Sequence, residues 1–283
     1  MTERPKTRQR FGQHFLVDGS IADRIVEFAG IGAGDTVLEI GPGRGILTGR
    51  LLEKAGSVTA VEIDRDLVAE LYNRFSGDSR LRLVEANILD TDLNTLFGDT
   101  PGKVKVVSNI PYYISAPIID LLIRSRTLIS AAVLMVQKEV ADRLTSAPGS
   151  KEYGLPTLNL ALYASCRKVM TVMPGSFRPP PEVTSSVIVI TFDECPRYRL
   201  SDERVFRDLT GAAFRKRRKM VRNSVVPYML SLGIGEVDAM AVLAGAGVDQ
   251  TARPETIDVS AFVAMSNGVA VLVSGVRRRE DIP

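Results

Sequence analysis

Short apolar runs alternate with helical patterns along the first two thirds of the chain. The runs with the length and β-branched content of buried strands cover residues 36–40, 58–62, 81–85, 104–108 and 131–136. Helical patterns lie between them, and another covers residues 21–28, so parallel strands with right-handed crossovers are predicted. Residues 169–172 and 185–192 form two strand patterns without a helix between them, which indicates an antiparallel end to the sheet.

The last third of the chain has helical patterns only. The predicted helices cover residues 203–215, 219–230, 236–245 and 260–272. The pattern changes near Cys195 and Pro196, which predicts two domains, residues 1–195 and residues 196–283. The expected fold is therefore α/β, with a mostly parallel Rossmann-like sheet followed by a small all-helical C-terminal domain.

A glycine-rich turn joins the first of these strands to the helical pattern after it. The segment VLEIGPGRGILT contains Gly41, Gly43 and Gly45, where the absence of a Cβ lets a ligand approach the backbone. The next strand ends about 20 residues later in Glu62, the position where a carboxylate usually binds both ribose hydroxyls. The G-x-G-x-G spacing and Pro42, which has no N–H, do not suit a pyrophosphate. S-adenosylmethionine, which has a ribose and an adenine but no phosphate, is the predicted cofactor.

The segment NIPYYIS, residues 109–115, follows the fourth predicted strand. The side-chain oxygen of Asn109 and the backbone carbonyl of Ile110 or Pro111 can accept the hydrogens of an exocyclic base amine. Two such acceptors would free the nitrogen lone pair, and Tyr112 could stack on the base. The alternative is an ordinary turn after a strand. The order of the two motifs along the chain favours a methyltransferase that acts on a base amine.

Composition excludes several other classes of protein. The chain has 283 residues, of which 45% are hydrophobic, so it can form a large core. It contains no apolar run of about 18 residues, and a soluble, cytoplasmic protein is predicted. Two cysteines without metal-ligand spacing and a single histidine argue against a disulfide scaffold, a zinc site or a histidine-based triad. No metal is therefore expected.

Positive charge is concentrated in three clusters, although the net charge is only +3. The first comprises Arg4, Lys6, Arg8 and Arg10 in an N-terminal arm, and the third covers residues 277–279. The second lies in FRKRRKMVRN, which is predicted to be helical, and its basic residues are Arg215, Lys216, Arg217, Arg218, Lys219 and Arg222. One such cluster is usually a solvated face. Three clusters in a chain with a predicted base-binding site favour contacts with a nucleic-acid backbone.

Several motifs together resemble those of the KsgA/Dim-type small-subunit ribosomal RNA adenine dimethyltransferase family. They are FGQHFLVD, EIGPGRGILT, VEID, SNIPYYIS, QKEVADRL, FRPPPEVTSS, FRKRRKMVRNS and GVDQTARPETIDVSAF, and they extend over almost the whole chain. The resemblance implies a class I S-adenosylmethionine-dependent methyltransferase. Members of this family dimethylate N6 of two adjacent adenosines in a hairpin near the 3′ end of small-subunit ribosomal RNA, within an assembling subunit.

The resemblance also implies cofactor-binding roles for individual residues. His14 and Leu16 correspond to cofactor-contacting positions, although the family commonly has Asn where this chain has His14, which leaves packing at the pocket lip as the alternative. Gly41 corresponds to the glycine under the methionine moiety, and Glu62 to the ribose ligand. Asn87 stands where relatives often carry an Asp that bonds the cofactor adenine, and its carbonyl could replace that carboxylate.

The catalytic residues that the resemblance implies are Asn109, Pro111, Tyr112 and Phe177. Phe177 corresponds to an aromatic residue at the pocket mouth, where it would sandwich the flipped adenine with Tyr112; alternatively it anchors the proline-rich turn in the core. The expected reaction is a direct in-line displacement without a strong general base. A monomer that binds small-subunit ribosomal RNA within the subunit is expected.

Three other functions stay open from the sequence. An antibiotic-resistance methyltransferase that acts on large-subunit RNA has similar motifs, but FRKRRKMVRNS and GVDQTARPE argue against it. A DNA adenine methyltransferase usually needs a larger target-recognition domain than the segment after residue 195 provides. A non-catalytic assembly or transcription factor is a different class, and the intact glycines, Glu62 and Asn109 argue against it.

Overall fold

The chain folds into two compact units. The computed structural model describes residues 13–195 and 197–280, with side chains described up to residue 275. The first unit combines the chain up to Ala141 with Cys166–Glu194, and the second combines Asp142–Ser165 with the chain from Cys195 onwards. The predicted boundary after residue 195 lies next to one of these crossings. Residues 142–165, which were expected in the first domain, group instead with the helices of the second unit.

A seven-stranded sheet forms the centre of the first unit. Its strands are β2 (Thr36–Ile40), β3 (Ser57–Glu62), β4 (Leu81–Glu85), β5 (Val104–Asn109), β6 (Ile129–Gln137), β7 (Ala164–Val172) and β9 (Ser185–Phe192), in the spatial order β4-β3-β2-β5-β6-β9-β7. The first five strands in this order, from β4 to β6, pair with one another in parallel. Strand β9 runs antiparallel to β6, with Ala131 opposite Thr191. The predicted mostly parallel sheet with an antiparallel end is confirmed.

A small two-stranded ribbon accompanies this sheet. Strands β1 (Phe15–Leu16) and β8 (Phe177–Arg178) pair antiparallel, with Leu16 opposite Phe177. Each strand has only two residues, so neither shows the alternation by which a strand is detected in a sequence. The pairing joins the segment before the first helix to the proline-rich segment near the end of the first unit.

Several helices of the first unit begin at an aspartate cap. They are α1 (Gly19–Phe28), α2 (Ile46–Lys54), α3 (Arg65–Arg74), α4 (Leu93–Phe97), α5 (Ser115–Arg124) and α6 (Lys138–Leu144), the last of which continues into the second unit. The Asp18 carboxylate accepts the N–H groups of Ser20 and Ile21 at the start of α1, and Asp64 caps α3 through Asp66. Apolar side chains of α1 and α2 form a cluster with one face of the sheet, in which Val37, Val107 and Val133 are buried.

The second unit is helical. It contains α7 (Leu155–Ala161), α8 (Glu203–Arg215), α9 (Arg222–Ser231), α10 (Glu236–Gly245) and α11 (Val259–Glu280). Its core includes the rings of Tyr153, Phe214 and Phe262, whose neighbouring centroids lie 6.4 and 5.9 Å apart. The helix predicted for residues 219–230 begins only at Arg222, because residues 216–220 form a turn. In the part of the chain that the structure describes, no helix is long and apolar enough to cross a membrane.

Candidate active site

A cavity of about 280 Å³ lies at the carboxyl ends of the central strands, where open α/β sheets usually bind ligands. Residues from the ends of β2, β3 and β5, from the loop after β4 and from the segment around β1 line it. All of these residues belong to the first unit. Nine of the predicted site residues are among them: His14, Leu16, Gly41, Gly43, Glu62, Asn87, Asn109, Pro111 and Tyr112.

The glycine-rich turn connects β2 to α2. Gly41, Gly43 and Gly45 have φ angles of 64°, 57° and 76°, which side chains with a Cβ rarely adopt. A Cβ on Gly45 would lie 2.7 Å from the side chains of Leu71 and Phe75, so this glycine is required for packing. The N–H groups of Gly41 and Gly45 already donate to backbone carbonyls, and that of Gly43 donates to a carboxylate. These donors are therefore not directed at a phosphate, which suits a cofactor that has none.

Glu62, the last residue of β3, is held by three backbone hydrogen bonds. The N–H of Gly43 donates to Oε2 at 3.2 Å, and the N–H groups of Ile63 and Asp64 donate to Oε1 at 3.0 Å each. Burial raises the pKa of this carboxyl, and the three N–H donors partly oppose that effect. Both lone pairs of Oε1 are thus used, whereas Oε2 keeps one for a further donor. The geometry is that of a fixed carboxylate with an open acceptor for a ligand hydroxyl.

Glu39 is a site residue that the sequence reasoning missed. It lies within β2, its side chain is 1% exposed, and it lines the same cavity. The hydroxyl of Thr48 donates to its Oε2 at 2.7 Å. Burial raises the pKa of Glu39 to about 8, and the nearby Glu62 carboxylate acts in the same direction. A charged residue between the apolar positions Leu38 and Ile40 was the signal that could have identified it.

Asn87 follows β4 and lines the cavity, and its contact with the cofactor adenine stays a prediction. Its side-chain oxygen accepts the N–H of Leu89 at 3.1 Å, and its Nδ2 donates to Oδ2 of Asp90 at 2.7 Å. These bonds fix the amide at the start of a short 3-10 turn. One lone pair of the oxygen remains for a ligand amine.

Asn109 ends β5 and presents an open acceptor to the cavity. Its Nδ2 donates to the His14 carbonyl at 3.4 Å, whereas its side-chain oxygen has no partner among the described residues. The carbonyl of Pro111 accepts the N–H of Ile114 at 3.1 Å. The carbonyl of Ile110 has no partner within residues 13–195 and 197–280. Of the two carbonyls that the sequence left open, Ile110 is therefore the better placed to accept a second amine hydrogen.

The ring of Tyr112 is fixed from two sides. Its hydroxyl is 2.6 Å from the hydroxyl of Ser185, and the ring of His14 stacks on it with centroids 5.8 Å apart and an interplanar angle of 28°. The Nδ1 of His14 is 2.9 Å from the carbonyl of Pro179, so Nδ1 carries the hydrogen in this contact. Tyr112 thus lines the cavity with a fixed ring plane.

Phe177 does not stand where the resemblance implied. Its side chain is 0% exposed and belongs to the apolar cluster beneath α1 and α2, and it does not line the cavity. A stacking residue has to expose a ring face to the base, so the expectation of a sandwich between Phe177 and Tyr112 is corrected. The alternative, an anchor in the core, describes Phe177. Leu16, which pairs with Phe177, is 5% exposed and contributes only to the cavity wall.

Tyr113 is a second residue that the sequence reasoning passed over. Its side chain is 59% exposed, although it lines the cavity. Burial raises the pKa of its hydroxyl, and the nearby Glu62 carboxylate acts in the same direction, so Tyr113 lies on the Glu62 side of the cavity. It is therefore an aromatic residue at the rim of the site.

The basic run lies in the second unit and is not a continuous helix. Arg215 ends α8 and Arg222 begins α9, while the four basic residues between them lie in a turn. Arg215, Lys216, Arg218 and Lys219 are exposed, whereas Arg217 is only 35% exposed and forms an ion pair with Glu255 at 2.7 Å. The residues of the basic N-terminal arm and the side chains of residues 277–279 lie outside the described residues.

No group of three potential metal ligands occurs among the residues that the structure describes. The site instead offers hydrogen-bond acceptors, apolar walls and an aromatic ring.

The fold is that of a Rossmann-like methyltransferase, and one cavity brings together its glycine-rich turn, a fixed carboxylate and a strand end with open acceptors. The family model for ribosomal RNA adenine dimethylase matches residues 4–264, and the chain belongs to that family.

Proteins similar to the chain carry consistent descriptions. Ribosomal RNA small subunit methyltransferase A of Magnetococcus marinus is 43% identical, over 92% of this chain and 90% of that protein. The protein of the same description from Geobacter sulfurreducens is 40% identical, over 93% of this chain and 95% of that protein.

Solved structures agree with this assignment. A dimethyladenosine transferase from Plasmodium falciparum has a TM-score of 0.77 and 29% identity, and the match covers 89% of this chain and 96% of that chain. The 23S rRNA methyltransferase ErmE has a TM-score of 0.70 and 25% identity, with 90% of this chain and 99% of that chain covered.

Proposed function

We propose that the protein uses S-adenosylmethionine to dimethylate N6 of two adjacent adenosines in a hairpin loop near the 3′ end of small-subunit ribosomal RNA. The substrate is the RNA within an assembling small subunit, so the protein also contributes to subunit biogenesis. The observation that carries this proposal is the pair of acceptors on Asn109 and Ile110, which have no partner among the described residues and lie at the same cavity as Gly41 and Glu62. Relatives described as small subunit methyltransferase A support the choice of RNA.

The residues at the end of β5 would prepare the amine for attack. The side-chain oxygen of Asn109 and the carbonyl of Ile110 each accept one amine hydrogen, which draws the nitrogen out of conjugation with the base. Tyr112 stacks on the flipped adenine and holds its plane. The second methylation starts from N6-methyladenosine, which has only one amine hydrogen, so one of the two acceptors is sufficient in that round.

The cofactor would bind in the other half of the cavity. Glu62 would hold the ribose hydroxyls, the backbone at Gly41 and Gly43 would lie along the methionine end, and the Asn87 oxygen would accept a hydrogen from the adenine amine. His14 and Leu16 complete the wall on the side of β1.

The chemistry requires positioning more than acid or base catalysis. S-adenosylmethionine would supply a methyl group bound to a positively charged sulfur, and the neutral thioether that remains would be the leaving group. The lone pair of N6 would form the new N–C bond as the C–S bond breaks, and the proton on the nitrogen would then pass to water. Asn109 orients the amine in line with that bond. No metal is part of this proposal.

The second unit would bind the RNA. Arg215, Lys216, Arg218 and Lys219 are exposed and are proposed to contact phosphates, with Arg222 beside them. Light scattering is expected to show a monomer, and the protein is expected in the cytoplasm, where bacterial ribosomes assemble.

Methyl transfer to three substrates in parallel tests the proposal. Labelled S-adenosylmethionine is incubated with small subunits that lack the modification, with naked large-subunit RNA and with duplex DNA, and the product nucleosides are mapped. Label only in small subunits, as dimethyladenosine, is the expected result.

Each other outcome contradicts the proposal in a defined way. Label in large-subunit RNA would indicate the activity that ErmE is described with, and label in DNA would indicate a DNA adenine methyltransferase. Binding of the cofactor without transfer to any substrate would favour a non-catalytic assembly factor.

A further inference from the structure

Three segments that are distant in the sequence meet around Arg217 in the second unit. The first is the basic turn, residues 216–220, between α8 and α9. The second is the loop of residues 147–152 before α7, and the third covers residues 249–256, which lead to α11. We call the last two the 150 loop and the 250 segment. All three belong to one compact unit.

The guanidinium of Arg217 connects the three segments. Its Nε donates to Oε2 of Glu255 at 2.7 Å, and its Nη2 donates to the carbonyls of Ser150, at 3.3 Å, and Lys151. Arg217 is 35% exposed and Glu255 only 23%. A planar guanidinium that binds one carboxylate and two carbonyls has few donors left for a phosphate. Arg217 is therefore used inside the protein, unlike its basic neighbours.

Backbone hydrogen bonds complete the connection. The N–H of Gly149 donates to the carbonyl of Glu255 at 2.6 Å, and the N–H of Val221 donates to the carbonyl of Ala252 at 2.7 Å. Removal of the ion pair between Arg217 and Glu255 would leave the 250 segment held by these two backbone bonds and by the hydrogen bond from Arg222 to Gln250. The Gly149 amide reports on the contact between the 150 loop and the 250 segment, and the Val221 amide on the contact between the 250 segment and the residue that follows the basic turn.

The exposed charges around this junction are mostly positive. Arg215, Lys216, Arg218 and Lys219 are exposed on or beside the basic turn. The 150 loop adds Lys151, which is also exposed and whose carbonyl accepts from Arg217. The exposed acids on the same segments are Glu152 and Asp249, and Asp249 is occupied by the N–H and hydroxyl of Thr251. A surface of this charge is complementary to an RNA phosphate backbone.

We propose that Arg217 and Glu255 are positioning residues that present a three-segment phosphate-binding surface, to which Lys151 of the 150 loop contributes a direct RNA contact. The inference rests on the proposed function of the second unit and changes its residue assignment. Arg217 acts by holding the basic turn in place, and Lys151 replaces it as a ligand of the RNA.

Glu255→Ala tests the positioning role, because it leaves every basic residue in place and removes one negative charge. Simple electrostatics expects tighter RNA binding. If Glu255 has a positioning role, binding should instead be about tenfold weaker, because RNA binding would then have to order about one more backbone residue. The matched control is Glu152→Ala, which removes an exposed charge from the same surface and is expected to bind as tightly as wild type or more tightly. The affinity is measured by fluorescence anisotropy with an RNA fragment that contains the 3′ hairpin.

Hydrogen exchange of the free proteins separates positioning from contact. The amides of Gly149 and Val221 are expected to exchange faster in Glu255→Ala than in wild type, and at the wild-type rate in Glu152→Ala. If Glu255→Ala does not fold, Glu255→Gln is used instead; it keeps an acceptor for Arg217 but loses the charge that strengthens the bond, so smaller changes in the same direction are expected. Unchanged or tighter RNA binding by the Glu255 variant would overturn the positioning role.

The salt dependence of binding tests the contact by Lys151. Each lost phosphate contact lowers the slope of log affinity against log salt by about 0.7 to 0.9. Lys151→Ala is expected to show this change, whereas Lys103→Ala, an exposed lysine of the first unit, is expected to show none. An unchanged slope for Lys151→Ala would overturn the contact.

Two further outcomes distinguish the sources of failure. If Lys151→Ala weakens binding to the small subunit but not to naked RNA, the surface binds a ribosomal protein and the inference is wrong. If the wild-type protein and Lys151→Ala show the expected salt dependence of RNA binding but the wild-type protein does not methylate small subunits, the proposed function is wrong and the proposed phosphate-binding surface is retained.

Discussion

The two halves of the cavity differ in how far their polar groups are already hydrogen-bonded. In the cofactor half, Glu62 accepts three N–H groups and Glu39 accepts the Thr48 hydroxyl. In the amine half, the side-chain oxygen of Asn109 and the carbonyl of Ile110 have no partner among the described residues. The protein itself fixes the cofactor groups in advance, whereas the acceptors for the amine are left for the substrate.

This difference follows from the chemistry of the two ligands. A ribose carboxylate needs only a fixed position, and internal N–H donors provide it without using all its lone pairs. An acceptor that was already hydrogen-bonded inside the protein could not accept the hydrogens of the amine. Open acceptors cost stability and are retained where they act on a ligand.

The largest expected effect comes from removing the open acceptor. Asn109→Ala is expected to lower kcat for small subunits by about 100-fold or more, as for other groups that act on the reacting centre, with little change in the Kd of S-adenosylmethionine. Single-turnover rates and calorimetry measure the two quantities. Asn73→Ala, at an exposed position on α3, is the control. A near wild-type kcat for Asn109→Ala would remove the role given to this residue.

A large effect on stability is expected from the buried carboxyl of the cofactor half. Glu39 has its pKa raised by burial from 4.5 to about 8, so its contribution to stability is present below pH 4.5 and is lost as the pH rises through 8. Glu39→Gln cannot ionise and should therefore gain several kcal/mol relative to wild type between pH 5 and pH 8.5. Urea unfolding of both proteins at the two pH values measures this. Parallel stability profiles would show that Glu39 is not held in a dry environment.

Glu62→Gln tests the fixed carboxylate with a smaller change. The amide keeps one oxygen but replaces the other acceptor with a donor, so the Kd of S-adenosylmethionine should rise about tenfold, the loss of roughly one charge-assisted hydrogen bond. At saturating cofactor, kcat should stay close to that of wild type. Calorimetry checks the affinity, with Glu53→Gln on the surface of α2 as the control. A loss of kcat with unchanged Kd would place Glu62 in the amine half.

Tyr112→Phe should have the smallest effect. It keeps the ring that stacks on the base and loses only the hydrogen bond to Ser185. A net contribution of about 1 kcal/mol corresponds to a roughly fivefold rise in KM for the small subunit. Tyr112→Ala, which also removes the stacking face, should cost clearly more. Equal KM values for the two variants would argue against stacking.

The sheet was predictable because its strands are long, apolar and regularly spaced. Residues 36–40, 81–85 and 185–192 were predicted with the bounds that the structure shows. The glycine-rich turn, Glu62 and Asn109 follow from motifs at the ends of such strands, and the structure brings them to one cavity.

The features that the sequence did not predict have a common physical origin, since they depend on contacts between distant segments. The pairing of Leu16 with Phe177 buries the Phe177 ring, and no local pattern reports a two-residue strand. Arg217 reads as one cation in a basic run, yet its partner Glu255 lies 38 residues away. The same holds for residues 142–165, whose grouping with the helices depends on the core that Tyr153 and Leu158 enter.

The chain passes between its two units at three points, after Ala141, after Ser165 and after Glu194. The helical unit is therefore not an appendage that a stop codon near residue 195 could remove. A protein shortened in that way would retain α7 and expose Tyr153, Leu158 and Leu162, which are buried in the core of the second unit, and aggregation is the expected fate. For the same reason, exchange of this unit between relatives, by recombination or by design, requires two separate stretches of the gene to change together.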